Sequence, residues 1–257
     1  MNYADIQSVF RRAAILGGER IMEVYNRGEV AVDVKADDSP VTEADRAADQ
    51  VISEILAEAF PGLPLVTEEQ AATHSLSAKT FLIVDPLDGT KEFIKRRGEF
   101  TVNIALVEEG IPTRGIVYAP AKGRLFYTDE AGVSHEETGE ITADTAGPSA
   151  PIRVRQPDNS ALFVVASKSH RDAATDDYIA KYQTADMKSA GSSLKFCLVA
   201  AGEADLYPRL GPTMEWDTAA GDAVLRGAGG SMVHFEDHAT FRYGKPDFRN
   251  GFFIAHA

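Results

Sequence analysis

The octet Ile83–Thr90, which reads Ile-Val-Asp-Pro-Leu-Asp-Gly-Thr, constrains this chain more than any other segment. The apolar residues from Phe81 to Val84 predict a short buried strand. Two carboxylates, Asp85 and Asp88, follow at its carboxyl end, which is where open α/β sheets bind their ligands. The proline between them fixes the backbone and the glycine after them permits unusual angles, so both acids can be aimed at one point. Because such acids repel each other unless a cation or a proton lies between them, the octet predicts a metal site.

The composition is that of an ordinary globular protein, with 257 residues, of which 44% are hydrophobic and 25% charged. This length suffices for one large domain or two small ones. The net charge of −13 argues against long nucleic acid as a partner, because nucleic acid is bound by basic surfaces. A small anionic substrate remains compatible with it, since a bound divalent cation can reverse the local field.

No segment of the sequence predicts an exported or membrane-spanning protein. Residues 1–12 contain neither an apolar core nor a cleavage pattern, so we expect no signal peptide. No run approaches the roughly 18 consecutive apolar residues of a membrane span. The single cysteine, Cys197, excludes an intramolecular disulfide and favours a reducing compartment. We therefore expect a cytoplasmic protein, with peripheral attachment to the inner membrane left open.

Hydrophobic periodicity predicts helices and strands in both halves of the chain. Helices are predicted over residues 3–26, from a cap at Thr42 to residue 59, and over 171–183, 194–201 and 218–226. Strands are predicted over 63–67, 81–84, 102–107, 111–118, 124–127, 152–154, 162–166 and 204–207. The stretch from Asp129 to Pro151 is the best candidate for a loop or linker. We therefore predict a layered α/β protein, with an α+β part over residues 1–150 and an α/β part over residues 151–257.

Acidic residues outside the octet also lie at junctions between predicted elements. The pair Glu68-Glu69 follows a predicted strand, and Asp217 precedes a helix predicted to start one residue later. Asp45 fits the third position of a capping box. Taken singly, each has a structural explanation as a solvated pair or a helix cap. Taken together with the octet they favour Mg²⁺, which prefers hard oxygen ligands.

Other loops that bind calcium or phosphate are excluded by spacing. The glycine of the octet comes one residue too early for an EF-hand loop. Two residues separate the acids, whereas one separates them in phosphatases with an aspartyl nucleophile, and no P-loop sequence occurs. Ser167 and Ser169 near His170 lack the Gly-x-Ser-x-Gly elbow of a nucleophilic serine.

Together these motifs resemble those of the inositol monophosphatase superfamily of magnesium-dependent, lithium-sensitive phosphatases. The segments that carry the resemblance are Glu68-Glu69, Asp85–Thr90, Trp216–Gly221 and the helix start Thr42–Asp45. The resemblance implies a layered α-β-α-β-α sandwich of the inositol monophosphatase/fructose-1,6-bisphosphatase type. It also implies a site with two or three Mg²⁺ ions. The implied metal ligands are Glu68, Asp85, the carbonyl of Leu87, Asp88 and Asp217, and the implied catalytic residues are Asp45, Glu68 and Thr90.

A second resemblance concerns the substrate. Ser167–His170, Gly191–Cys197 and Leu206–Thr213 are similar to segments of the bacterial 3′(2′),5′-bisphosphate nucleotidases. It implies adenosine 3′,5′-bisphosphate as the substrate. The implied substrate-binding residues are Glu68, Leu87, Asp88, Gly89, Thr90, His170, Gly191, Ser192, Lys195, Arg209 and Asp217. Structural explanations stay open for His170 as a surface or capping residue and for Lys195 as a side chain that snorkels out of an apolar helix.

Two other functions stay open at this point. An inositol monophosphatase would carry the same metal ligands with a different substrate, and a fructose-bisphosphatase is a more distant version of that alternative. A non-catalytic metal or nucleotide sensor on the same fold would be expected to have lost part of the metal set, and no such loss is visible in the sequence. The resemblance leaves both a monomer and a homodimer open.

Overall fold

The computed structural model describes residues 2–28, 32–34, 40–167 and 172–257, which form two main sheets with helices outside and between them. The helices are α1 (Tyr3–Arg27), α2 (Glu43–Ala59), α3 (Thr90–Ile94), α4 (Ala173–Ile179), α5 (Leu194–Ala200) and α6 (Glu215–Gly227). The first nine strands are β1 (Val32–Val34), β2 (Pro40–Thr42), β3 (Leu65–Thr67), β4 (Thr80–Asp88), β5 (Thr101–Glu108), β6 (Ile111–Ala119), β7 (Arg124–Thr128), β8 (Ser134–Thr138) and β9 (Ser149–Pro151). The remaining strands are β10 (Leu162–Ser167), β11 (Thr184–Ala190), β12 (Leu206–Arg209), β13 (Ser231–His234) and β14 (Phe253–His256).

The two sheets differ in how their strands run. The seven-stranded sheet has the order β3-β4-β5-β6-β7-β8-β9 and is antiparallel except between β3 and β4. The five-stranded sheet has the order β11-β10-β12-β14-β13, with β10 parallel to both β11 and β12. Its other pairs are antiparallel, and β1 and β2 form a separate antiparallel pair.

Helices and sheets alternate in five layers. The apolar faces of α1 and α2 cover one face of the seven-stranded sheet, with Phe10, Ile52 and Ile104 in a shared core. The other face of that sheet packs on α5 and α6, which in turn pack on the five-stranded sheet in one continuous core. Tyr178 and its neighbours in α4 cover the outer face of the five-stranded sheet. This arrangement confirms the predicted layered α/β fold.

Helix α6 is confined by two glycines at points of close approach. A Cβ atom on Gly115 of β6 would lie 2.7 Å from the carbonyl oxygen of Ala220 in α6. A Cβ atom on Gly221 of α6 would lie 2.5 Å from the ring of Phe196 in α5. No residue with a side chain fits at such distances without a shift of the helix. The first turn of α6 therefore has a fixed position relative to the sheet and to α5.

The prediction of a loop or linker from Asp129 to Pro151 is wrong. This segment supplies β8 and β9 to the seven-stranded sheet. The hydrophobic pattern of this segment does not predict β8, because the buried positions of that strand are polar, namely Ser134 and Glu137. The carboxylate of Glu137 is paired with Arg11 of α1 at 2.7 Å, a partner that sequence spacing does not reveal. In place of the strand predicted over residues 152–154, the structure has β9 at Ser149–Pro151, whose three residues are all exposed and leave no apolar pattern.

Three strands of the five-stranded sheet, β11, β13 and β14, lie where no strand is predicted. Strand β11 is exposed along its length up to Ala190 and pairs with β10 through its backbone, so it leaves no apolar pattern in the sequence. The chain passes from one sheet to the other between β9 and β10, near the boundary predicted at residue 150. The division into two parts stays a prediction. Across the described segments, no helix combines the length and the apolar character that crossing a membrane requires.

Candidate active site

A cavity of about 370 Å³ gathers most of the predicted site residues. Its lining includes Glu68, Asp85, Leu87, Asp88, Gly89, Thr90, Gly191, Ser192, Lys195, Arg209 and Asp217. Asp45 lies behind Thr90 and does not line the cavity. His170, the remaining predicted residue, lies outside the described residues. The cavity therefore brings together residues that are widely separated along the chain.

The octet forms the floor of this cavity through a strand, a bulge and a turn. Strand β4 extends beyond the predicted Phe81 to Val84 and ends at Asp88. An extra residue in β4 breaks its register with β5 between Asp85 and Asp88, which re-aims the side chains that follow. Gly89 then adopts φ 91° and ψ 38°, a left-handed conformation that favours glycine, and α3 begins at the next residue.

Three carboxylates form a compact acidic cluster at one end of the cavity. Oxygen atoms of Glu68, Asp85 and Asp217 all lie within 4.8 Å of one another. Asp85 is 1% exposed, and its Oδ1 accepts a hydrogen bond of 3.1 Å from the backbone N–H of Leu87. Burial raises the pKa of Asp85 well above its usual range, and the charges of Glu68, Asp88 and Asp217 raise it further. Converging hard oxygens that repel one another fit a divalent cation.

The position of Asp217 relative to its helix differs from the sequence prediction. Helix α6 begins at Glu215 and not at Thr218, so Asp217 lies in the first turn and is not the N-cap residue. Its carboxylate accepts a hydrogen bond of 2.8 Å from the backbone N–H of Met214, which satisfies one of the free donors at the helix start. Burial, and then the charges of Asp88 and Glu68, raise the pKa of Asp217 well above its usual range.

The start of α6 is anchored by residues that the sequence analysis does not single out. The buried carboxylate of Glu215 accepts hydrogen bonds from the backbone N–H groups of Gly244 (2.7 Å) and Lys245 (3.0 Å), and it pairs with the Lys245 ammonium at 2.6 Å. Asn250 donates through Nδ2 to the carbonyl of Met214 at 2.7 Å. A buried Glu and a lone Asn carry no recognisable motif, so only the tertiary structure reveals these anchors.

Asp88 lies beside the cluster, and one of its oxygens is surrounded by donors. Oδ2 accepts hydrogen bonds from Ser192 Oγ (2.6 Å), the backbone N–H of Ser193 (2.6 Å) and Asn103 Nδ2 (3.4 Å). Burial raises the pKa of Asp88, whereas the Ser192 hydrogen bond and the Lys195 charge oppose that rise. Asp88 is therefore oriented by neutral groups that donate to one of its two carboxylate oxygens.

Thr90 and Asp45 form a pair that serves two purposes. Thr90 Oγ1 lies 3.2 Å from Asp45 Oδ1. The other Asp45 oxygen accepts hydrogen bonds from the backbone N–H (2.7 Å) and hydroxyl (2.6 Å) of Thr42 at the start of α2. The predicted capping box is therefore present, and the same carboxylate also reaches the cavity through Thr90.

Two cations, Lys195 and Arg209, line another part of the same cavity, which we call its basic end. The buried ammonium of Lys195 donates to the carbonyls of Ser192 (2.5 Å) and Ala190 (3.4 Å) and lies 5.2 Å from the centroid of the Tyr207 ring. Burial lowers the pKa of Lys195 to about 8, and the neighbouring Arg209 charge adds to this effect. Arg209 in β12 donates through Nη2 to the carbonyl of Pro212 at 3.0 Å. A ligand with two phosphate groups can thus meet positive charge at Lys195 and Arg209 and a metal-binding cluster elsewhere in the same cavity.

Comparison with known proteins agrees with this geometry. The model of the inositol monophosphatase family matches residues 2–256. The 3′(2′),5′-bisphosphate nucleotidase CysQ of Salmonella typhimurium is 46% identical over 229 residues, which cover 88% of this chain and 89% of that protein. CysQ of Escherichia coli K12 is 47% identical over 221 residues, or 84% of this chain and 85% of that protein.

Solved structures give the same result. The crystal structure of CysQ from Bacteroides thetaiotaomicron, a bacterial member of the inositol monophosphatase family, superimposes with a TM-score of 0.82 at 38% identity. The comparison covers 99% of this chain and 98% of that one. An inositol monophosphatase from Zymomonas mobilis gives a TM-score of 0.77 at 26% identity and covers 100% of this chain and 94% of that one. The resemblance predicted from the acidic motifs is confirmed, and the chain belongs to the inositol monophosphatase family.

Proposed function

We propose that this chain is a magnesium-dependent 3′(2′),5′-bisphosphate nucleotidase that converts adenosine 3′,5′-bisphosphate to AMP and phosphate. The observation that carries the proposal is that one cavity is lined both by the acidic cluster and by the cations Lys195 and Arg209. A nucleotide with two phosphates matches both ends. The relatives named as nucleotidases, at 46% and 47% identity, support the same substrate. Its place would be the cytoplasm, in sulfur assimilation, and 3′-phosphoadenosine 5′-phosphosulfate is a second candidate substrate.

The acidic end is where we assign the metal. Glu68, Asp85, Asp88, Asp217 and the carbonyl of Leu87 are the proposed ligands of two or three Mg²⁺ ions. When bound, such ions supply a water of lowered pKa and stabilise the oxygen that is left on the ribose. The raised pKa values of Asp85 and Asp217 support this assignment, because they indicate a cluster short of positive charge.

Thr90 and Asp45 are the proposed groups that hold the proton of the attacking water. Asp45 Oδ2 already accepts two hydrogen bonds from Thr42, so Oδ1 is left for the Thr90 hydroxyl. A hydroxyl that donates its proton to Asp45 keeps lone pairs with which it can accept a hydrogen bond from water. Thr90 therefore orients the water. As the water attacks phosphorus, its proton would pass to Thr90 Oγ1 while the Thr90 proton passes to Asp45 Oδ1, which becomes neutral.

The other proposed contacts place the nucleotide. The backbone N–H groups of Gly89 and Thr90 line the cavity and can donate to the phosphate that is removed. Lys195 and Arg209 would bind the 5′-phosphate, with Gly191 beside them and His170 as a further predicted contact. Binding at both ends would hold the ribose in one orientation, which is a large part of catalysis in phosphoryl transfer.

The deciding experiment measures phosphate release from adenosine 3′,5′-bisphosphate and from inositol 1-phosphate, each with and without Mg²⁺. We expect magnesium-dependent release with a clear preference for the nucleotide, and inhibition by Li⁺ that competes with Mg²⁺. A preference for inositol phosphate would refute the substrate, and a folded protein inactive on both would favour a sensor. Asp88→Asn should abolish turnover, while Glu236→Gln, an exposed carboxylate in the same chain, serves as the matched control.

A further inference from the structure

Strand β5 places two polar side chains in an otherwise apolar stretch, and both are buried behind Asp88. Thr101 is 0% exposed and Asn103 is 1% exposed. Their register partners across the sheet are Asp88 and Asp85 in β4. Buried polar groups are costly unless they are hydrogen-bonded, so their partners indicate what they are for.

Thr101 and Asn103 hold the hydroxyls of the turn that contacts Asp88. Thr101 Oγ1 lies 2.5 Å from Ser192 Oγ and 2.8 Å from Ser193 Oγ. Asn103 Oδ1 accepts a hydrogen bond of 2.6 Å from Ser193 Oγ. Because each hydroxyl has one proton, the Ser193 proton goes to Asn103 and the Ser192 proton goes to Asp88 Oδ2. The Thr101 proton then has two acceptors, Asn103 Oδ1 at 3.1 Å and Ser192 Oγ at 2.5 Å, and we assign it to Ser192 Oγ because that contact is the shorter one.

This distribution of protons determines which oxygen of Asp88 is free. Oδ2 accepts all the hydrogen bonds made to this carboxylate by the residues that the structure describes, and Oδ1 accepts none of them. Asp88 also lines the cavity. The Ser192 hydroxyl donates to Asp88 and accepts from Thr101, so in this arrangement it has no proton left for a substrate.

The turn itself is held from both sides. Ser192 adopts φ 58°, a left-handed conformation that is uncommon for residues other than glycine. On the carbonyl side, the Lys195 ammonium donates hydrogen bonds to the backbone oxygens of Ala190 and Ser192. On the donor side, Asp88 Oδ2 accepts the N–H of Ser193 and the hydroxyl of Ser192. Strain at Ser192 is thus retained by contacts that include a proposed metal ligand.

We infer that Thr101 is a positioning residue for the metal site. Its hydroxyl holds the Ser192 hydroxyl against Asp88 Oδ2, while Asn103 holds the Ser193 hydroxyl. The other carboxylate oxygen of Asp88, Oδ1, is thereby presented to the metal. Ser192 in turn acts on Asp88 and not on the substrate. The inference rests on the metal site of the proposed function. Groups that orient metal ligands commonly change metal affinity about 10- to 100-fold when they are removed.

The test measures Mn²⁺ binding to metal-free protein by electron paramagnetic resonance, without substrate. Thr101→Val removes the hydroxyl at nearly constant volume and should raise the Mn²⁺ dissociation constant about 10- to 100-fold. Thr101→Ser keeps the hydroxyl and should remain close to the wild type. In phosphate-release assays, the Mg²⁺ concentration for half-maximal activity should rise for Thr101→Val, while KM for the nucleotide at saturating Mg²⁺ changes little.

Ser192→Gly provides a second variant that does not depend on how well the core tolerates valine. Glycine suits the left-handed conformation at this position, so the variant removes the hydroxyl without backbone strain. We expect the same loss of Mn²⁺ affinity. Wild-type Mn²⁺ affinity in Ser192→Gly, combined with a raised KM for the nucleotide, would overturn the inference, as would equal losses in Thr101→Val and Thr101→Ser.

The same measurements separate this inference from the proposed function. If the wild type binds Mn²⁺ but does not hydrolyse the nucleotide, the proposed substrate fails and the Mn²⁺ comparison still decides the role of Thr101. If the wild type binds no Mn²⁺, the metal site is wrong and the inference falls with it.

Discussion

At the acidic end of the cavity, three carboxylates converge within 4.8 Å, and burial and mutual repulsion raise the pKa of two of them. At the basic end, Lys195 and Arg209 donate to backbone carbonyls within five residues of themselves. Both cations therefore have hydrogen-bond acceptors within the fold, whereas the carboxylates repel one another, and a bound cation would relieve that repulsion. The difference suggests that the acidic end determines the reaction and the basic end determines the substrate.

The largest expected effect tests the acidic end. Asp85→Asn removes the most deeply buried carboxylate of the cluster, and a metal clamp contributes several kcal/mol to the transition state. We expect kcat to fall about 1,000-fold or more for adenosine 3′,5′-bisphosphate and equally for adenosine 3′-phosphate, which lacks the second phosphate. Steady-state phosphate release with both substrates measures this. A loss confined to the bisphosphate would contradict the division between the two ends.

The next effect tests the basic end. Arg209→Met removes the charged hydrogen-bond donor that we propose for the second phosphate, and such a contact is worth about 1.5–3 kcal/mol. We expect kcat/KM for the bisphosphate to fall roughly 10- to 150-fold, with a much smaller change for adenosine 3′-phosphate. Lys122→Met, an exposed cation outside the cavity, is the matched control. Equal losses on the two substrates would show that Arg209 acts on the reaction itself.

A smaller effect follows from the pKa of Lys195, which burial lowers to about 8. Below that pH the ammonium is charged and can bind a phosphate, and above it the charge is lost. The ratio of kcat/KM for the bisphosphate to that for adenosine 3′-phosphate should therefore fall about fourfold between pH 7 and about pH 8.5. Lys195→Arg should flatten this profile. A flat profile in the wild type would argue against Lys195 as a substrate contact.

The smallest effect concerns stability without metal. The folded-state pKa of Asp85 is raised, so the metal-free folded protein binds more protons than the unfolded chain. Its stability should therefore rise as the pH falls through the raised pKa of Asp85. In EDTA at pH 8, Asp85→Asn should raise the unfolding midpoint, by about 2–4 °C per 1 kcal/mol of repulsion relieved. Thermal denaturation measures this, and a lowered midpoint would show that the cluster is not short of positive charge.

The two ends also differ in what the sequence reveals. The octet concentrates Asp85, Asp88 and Thr90 in one segment, so local spacing is enough to predict a metal site there. Thr101 and Asn103 occupy a strand that reads as apolar, and their importance depends on a turn about 90 residues later. Single polar residues in a strand carry no signal of their partners, because the contact is formed only by the fold.

Errors in the fold prediction have a related cause. The sequence predicts the start of α6 three residues too late, because an Asp before a helix favours an N-cap, whereas Asp217 caps from inside the first turn. The strands β8 and β11 escape prediction because polar or exposed residues fill positions that are usually apolar. Long amphipathic helices such as α1 and α2 are predicted well, because burial on one face imposes a regular period.

The confinement of α6 between Gly115 and the ring of Phe196 bears on how this scaffold can acquire new substrates. A helix that cannot slide keeps Asp217 beside Asp85 of β4 while neighbouring residues are substituted. Diversification is then directed to segments that hold neither the helix nor a metal ligand, such as the residues after β12. For enzyme design, that segment is the place to vary, and the two glycines are the residues to leave untouched.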